Sequence, residues 1–319
     1  MTRLKKIVLG GLAALAIGGV ASSASAMESG TFQNRLNGAT VGLPLGALPP
    51  PGLYSGLETA YLGWPGHGTG NQAPGLDLPA IAQAVPFLYV PGWNFLGANY
   101  AMSAVIAFYT FTVLPTNNIN EPQAPIGWGA EVANPLWNPI TLSWNLGGGW
   151  FVSAGFNFMA PIGTRYAGTP NPDYWTFEPT FAISYLANNW VLSANFFYDI
   201  NTASTGPCCI GPKATTSGDA LYGDFTAAYK FGKWEIGPVA YFEVQTTSDT
   251  GAACPALCGD LRNFAVGGLV GYDFGPVDLQ VWVTDSVSRQ NAIDGLDVWT
   301  RLGFRIWAPE APKPLVAKN

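Results

Sequence analysis

From Trp190 to Asn201 the chain reads WVLSANFFYDIN, and alternate residues fall into two unlike sets. Trp190, Leu192, Ala194, Phe196, Tyr198 and Ile200 are apolar, with aromatic rings near both ends. Val191, Ser193, Asn195, Phe197, Asp199 and Asn201 are mostly small or polar. A period of two is the mark of a β-strand with two different faces. The same pattern recurs. Over 175–186, Trp175, Phe177, Phe181, Ile183 and Tyr185 oppose Thr176, Glu178, Thr180 and Ser184; over 219–231, Leu221, Phe225, Ala227, Tyr229 and Phe231 oppose Tyr222, Asp224, Thr226 and Lys230. Segments 234–245, 264–274, 277–284 and 296–307 repeat it, and 139–146 and 149–159 do so less cleanly.

The connections alternate between short and long. Tight turns are expected near Gly147-Gly148, Ala187-Asn189, Gly232-Lys233 and Gly275-Pro276, with longer loops at 160–173, 202–218, 247–262 and 288–294. Extended backwards, the pattern gives a loop at 114–136, a strand over about 94–113, a turn at Pro91-Gly92, a strand near 81–90, a loop at 63–80 and a strand near 53–62. The total is twelve antiparallel strands, with ten or fourteen also compatible because the second and third alternate least clearly. Strands of about 10–13 residues, tilted by about 40°, cross the apolar layer of a bilayer. The prediction is therefore an all-β transmembrane barrel of the outer-membrane kind, apolar outside and more polar within. Closure is required because an open strand edge in hydrocarbon leaves backbone groups unsatisfied. A secreted β-sandwich would use the apolar face as its core, but long strands, terminal rings and low charge oppose it. Phe95 to Leu114 could also be read as a transmembrane helix; its β-branched and aromatic content favours a strand.

Composition supports a lipid-covered exterior. Charged residues make up 11% of the chain, against about 25% in soluble domains, which leaves little charge to cover a surface in water. Residues 1–26 have the layout of a signal peptide: Arg3, Lys5 and Lys6, then an apolar run from Ile7 to Val20, then Ala24-Ser25-Ala26. Without it, 11 of the 14 Lys+Arg remain against 20 Asp+Glu, a formal charge of −9. That acidity argues against nucleic acid as a partner. The expected divisions are a leader (1–26), an N-terminal periplasmic segment or lumen plug (27–52), a barrel (53–307) and a periplasmic tail (308–319).

Four cysteines, Cys208, Cys209, Cys254 and Cys258, fall in two consecutive external loops. Export favours disulfides, and neighbouring residues fit the bridge geometry poorly, so bridges between the two loops are expected; a metal site would lack a nearby histidine. The sole histidine, His67, lies in the loop sequence GWPGHGTG and is the only candidate base for a lipid-acting barrel enzyme. No cofactor motif is present, and no catalytic or metal-binding set is assigned.

The candidate site is the inward face. It carries Glu178, Asp199, Asp224, Glu235, Glu243, Asp273, Asp278 and Asp297 against Lys230, Arg301 and Arg305. This set is read as a hydrated, ion-paired lumen or as a polar path that disfavours anions. Phe151, Phe197, Tyr222, Tyr241, Trp282 and Trp299 also face inward; they either pack on a plug or form an apolar slide for a solute. The segment 27–52, with NGATVGLPLGALPPPG, is too rich in Pro and Gly for a strand. It is either a free linker or a short plug, and a twelve-stranded bore is narrow enough for one to close.

PIGTRYAG (161–168), WTFEPTFAISYLANNWVLSANFFYDINT (175–202), SGDALYGDFTAAYKFG (217–232) and GPVAYFEVQTTSD (237–249) carry a resemblance. From about Leu53 to Trp307 the chain resembles the outer-membrane family named for the meta pathway of phenol degradation, grouped with the fatty-acid and toluene uptake channels. The resemblance implies a passive channel for small hydrophobic or aromatic compounds in the outer membrane of a Gram-negative cell, with the bilayer and the solute as its partners. A general porin for polar solutes is the alternative, and a lipid-acting enzyme a further one. Two features depart from the family: a Pro-rich tail after Trp307, and the cysteine-bearing inserts.

Overall fold

The computed structural model describes residues 33–64, 76–115, 126–164, 171–204, 215–251, 260–290, 292 and 295–309. Twelve long strands form the wall: β1 (Gly52–Trp64), β2 (Leu76–Val90), β3 (Ala98–Pro115), β4 (Leu136–Gly147), β5 (Trp150–Met159), β6 (Thr176–Ala187), β7 (Trp190–Asn201), β8 (Ala220–Phe231), β9 (Trp234–Gln245), β10 (Arg262–Asp273), β11 (Val277–Gln290) and β12 (Leu296–Trp307). Each pairs antiparallel with the next. β12 returns to β1, from Leu53 opposite Trp307 to Gly63 opposite Leu296, and closes the barrel.

The predicted faces hold. Trp175, Phe181, Trp190, Ile200, Phe231, Phe264, Leu302 and Ile306 are exposed on the outside, while Thr176, Glu178, Ser184, Asn195 and Asp224 are buried within. Rings cluster at the short-turn end of the exterior, where Trp150 meets Tyr185, Trp190 meets Tyr229 and Trp234 meets Tyr272. This is the aromatic girdle of an outer-membrane protein. The short turns use residues that tolerate left-handed backbone. Asn188 and Asn189, at φ 52° and 66°, make the β6–β7 hairpin, because the right-handed twist of paired strands selects turns of this hand.

Several boundaries differ from expectation. β2 begins at Leu76, inside the stretch read as a loop over 63–80. Apolar residues on both of its faces, Ala80, Ala82 and Ala84 within and Ile81 and Val85 without, hide the alternation. β3 starts at Ala98, because Asn94–Phe95 folds back on it through Leu96 and Gly97. Phe95 to Leu114 is thus strand, not helix, apart from the turn at its start. The stretch read as a loop over 114–136 contains a strand, Ile126–Val132, paired with β3. β11 runs on to Gln290, past the expected 284. Thr215–Thr216 pairs with Thr250–Gly251 and ties two external loops side by side. The four cysteines, His67, the leader and the end of the tail lie outside the described residues.

Placing an arginine at Phe181, near the middle of β6 and 49% exposed on the outer face, is expected to destabilise the barrel by about 2–4 kcal/mol. Urea titration of the protein refolded in lipid vesicles measures this.

Candidate functional site

The lumen holds the chain's own N-terminal segment. Residues 33–51 precede β1, and their Pro and Gly content prevents a strand, so the backbone folds in tight turns: Val41 N–H donates to Gly38 O (3.2 Å), Leu43 N–H to Thr40 O (3.1 Å) and Ala47 N–H to Pro44 O (2.9 Å). Irregular backbone buried inside a barrel must find other partners. The inward Ser, Thr and Asn residues of the wall supply them. Gly42 N–H donates to Thr226 Oγ1 (2.8 Å) and Gly46 N–H to Ser184 Oγ (3.0 Å). Ser143 donates to Gly46 O (2.7 Å), Ser153 to Leu45 O (2.8 Å) and Asn195 to Leu43 O (3.0 Å). At Gly46 the approach leaves no room for a side chain, since a Cβ would lie 2.7 Å from the Ser184 nitrogen.

Arg35 sits at the centre of the acidic wall. Its Nη1 reaches both carboxylate oxygens of Glu178 at 3.3 and 3.2 Å, and its Nη2 lies 3.9 Å from Asp224. The guanidinium also rests on the Phe197 ring, 3.2 Å from its centroid. Asn157 donates to the same Glu178. Thr40 binds Asp224 through its backbone N–H (3.0 Å) and its hydroxyl (2.5 Å), and Asn37 donates to Glu243 (2.6 Å). Arg301, on β12, works in the other direction. It pairs with Glu58 of β1 at 2.6 Å and donates to the carbonyls of Val41 (2.8 Å) and Ala39 (2.5 Å) in the segment.

The lumen has unlike halves. The β4–β9 side is polar. On the β10–β12 and β1–β3 side, Ala60, Leu62, Ala80, Ala82, Tyr109, Leu269, Trp282 and Trp299 form an apolar cluster with Val41 of the segment. Trp282 and Trp299 stack 5.4 Å apart and nearly parallel, and the Arg301 guanidinium lies 4.6 Å over Trp282.

The inward residues expected from the sequence divide by depth. Phe197, Asp199, Tyr222, Asp224, Tyr241, Glu243, Trp282, Trp299, Arg301, Glu178 and Asp297 are buried inside the barrel. Phe151 is half-buried, close to Gly46. Asp273, Asp278, Lys230 and Arg305 are exposed at the short-turn mouth, where Lys230 lies 3.7 Å from Glu235. The deep set is covered by protein, and Glu178, Asp224 and Arg301 in it are ion-paired. Leu269 was overlooked; it sits among glycines and alanines on β10, and only its parity with Ala265 and Asp273 marks it as inward. Arg35 was also overlooked, since no periodicity leads to a residue in an irregular segment.

Residues 63–302 match the family described as "Putative MetA-pathway of phenol degradation". The chain belongs to this family. The matched span covers nearly the whole barrel and stops short of the segment inside it. No curated protein matches the chain. Among solved structures, the COG4313 outer membrane channel from Pseudomonas putida F1 superposes with a TM-score of 0.63 at 10% identity, over 81% of this chain and 96% of that one. The toluene transporter TbuX of Ralstonia pickettii gives 0.40 at 10% identity, over 91% and 96%. A TodX mutant monoaromatic hydrocarbon channel gives 0.42 at 9%, over 84% and 91%. The first likeness shows a shared outer-membrane barrel fold; the other two are too weak to bear on it.

Proposed function

We propose that the protein is a passive channel in the Gram-negative outer membrane for small hydrophobic or aromatic compounds, and that residues 33–51 are its plug. The observation that carries this reading is a bore filled by a piece of the same chain that belongs to no strand, set against an inner wall with an apolar, ring-bearing half. The plug contributes no strand to the barrel, so it can shift without opening the wall. The first solved relative is itself named an outer membrane channel. A general porin for polar solutes fits less well, because Leu62, Leu269, Trp282 and Trp299 face inward where a hydrated bore would leave them wet. A lipid-acting enzyme would rest on His67 alone.

Two measurements test the proposal. Gram-negative cells expressing the protein, compared with cells lacking it, should take up radiolabelled toluene several-fold faster at micromolar concentration. Liposomes holding the purified protein should swell slowly in sugars. Rapid swelling with unchanged toluene uptake would establish the porin instead.

A further inference from the structure

Residues 33–51 cross the whole bore, and one strand of the wall fixes their direction. β6 runs from Thr176, beside the long loops, to Ala187 at a short turn. Gly46 N–H donates to Ser184, near the short turn. Arg35 pairs with Glu178, near the other end. Asn34 Nδ2 donates to Thr176 Oγ1 at 2.7 Å, at the start of the strand. Other strands give the same order. Gly42 O accepts from Gln280, close to the short-turn end of β11. Val41 and Ala39 take Arg301 in the middle of β12. Asn37 reaches Glu243 close to the loop end of β9. At the loop end Asn134, in the connection before β4, donates to Asn34 Oδ1 at 2.8 Å. The segment therefore leaves β1 at the short-turn mouth and climbs to the loop mouth.

In outer-membrane barrels the short turns face the periplasm and the long loops face outside. The root of the segment is thus periplasmic, and its tip, Asn34, is external. Only residues 27–32 separate the expected leader from the described chain. Fully extended, six residues reach about 20 Å. The wall along β6 is longer: twelve residues, rising about 3.3 Å each and tilted by about 40°, stand roughly 28 Å tall. Residues 27–32 are too few to carry the terminus back to the periplasm.

We propose that the barrel is threaded by its own chain, with the mature amino terminus displayed at the cell surface, and that a bulky protein ligand held on that terminus from outside locks the barrel shut. The root cannot travel, because it continues into β1, whose Gly52 is paired with Val90 of β2. Only the tip is free to move, and it moves inward, so opening draws the terminus down through the bore. A partner too large for the bore prevents this. The locking step rests on the channel reading above; the position of the terminus does not.

The test places an epitope after Glu28 of the full-length protein, expressed in Gram-negative cells, and probes it with an antibody, which is too large to cross the outer membrane. Intact cells should bind the antibody as well as permeabilised cells do. Binding that appears only after permeabilisation overturns the threading. Arg35→Glu sets a carboxylate against Glu178 and Asp224 and unseats the tip, so binding to intact cells should fall at least about 10-fold while permeabilised cells still bind. Undiminished surface binding in this variant would mean that the terminus gets outside without passing Arg35's seat, and would overturn the threading as well. Antibody already bound to the tagged wild type should reduce uptake of radiolabelled toluene to that of cells lacking the protein; unchanged uptake overturns the lock. Cells with the untagged protein that take up toluene no faster than cells lacking it would instead defeat the channel reading and leave the threading in place.

Discussion

Arg35→Ala is expected to open the barrel to sugars. Arg35 faces Glu178 and Asp224 from inside the lumen, and all three side chains are almost wholly buried. Removing one partner of a buried ion pair leaves carboxylates without compensation, which typically costs about 3–5 kcal/mol. The barrel has a way to relieve that cost that a soluble core lacks: the segment can leave, and water can enter to solvate Glu178 and Asp224. The contacts that remain, such as Thr40 on Asp224 and Gly42 on Thr226, are individually worth about 1–3 kcal/mol or less. The wall should survive, because Arg35 belongs to no strand and touches no ladder. Liposome swelling with a small sugar should therefore accelerate at least 10-fold, while the β-sheet circular dichroism is retained. Arg35→Lys keeps the charge but cannot reach Glu178 and Asp224 from two nitrogens at once or lie flat on Phe197, so it should fall between the two. Wild-type swelling rates in Arg35→Ala would show that the segment is held by its backbone contacts alone.

The sequence made the wall legible and left its contents obscure, for physical reasons. A strand between lipid and a polar interior has to alternate, so Trp190 to Asn201 declares both faces. Where the lumen itself is apolar the contrast fades. β2 carries Ala80, Ala82 and Ala84 inward and Ile81 and Val85 outward, so its start at Leu76 could not be read. Likewise the strand Ile126–Val132 is short and rich in glycine. Parity identified Asp199, Asp224, Glu243, Trp282 and Trp299 as inward, and they are. It could not identify what meets them. The partners are Arg35, Asn37, Thr40 and Val41, separated in sequence from the wall by 138 residues at Gly46–Ser184 and by 260 at Val41–Arg301. An irregular segment has no period, and the wall residues that bind its backbone are ordinary Ser, Thr and Asn.

Arg301→Ala should differ in kind from Arg35→Ala, because Arg301 serves the wall and the segment together. It lies on β12, and its partner Glu58 lies on β1, so the 2.6 Å ion pair bridges the seam where the barrel closes. The same guanidinium donates to Val41 O, Ala39 O and Gln280 Oε1 and covers the face of Trp282. Truncation would strand Glu58, buried and unpaired, beneath the segment. The expected loss is about 3–5 kcal/mol in urea unfolding from vesicles, together with faster sugar swelling as two backbone carbonyls lose their anchor. Glu58→Gln separates the two effects. It removes the seam charge but leaves Arg301 bound to Val41 and Ala39, so stability should fall while the barrel stays closed to sugar. If Glu58→Gln leaks as fast as Arg301→Ala, the seam and not the segment governs the barrier, and the lumen is closed by the wall's own integrity.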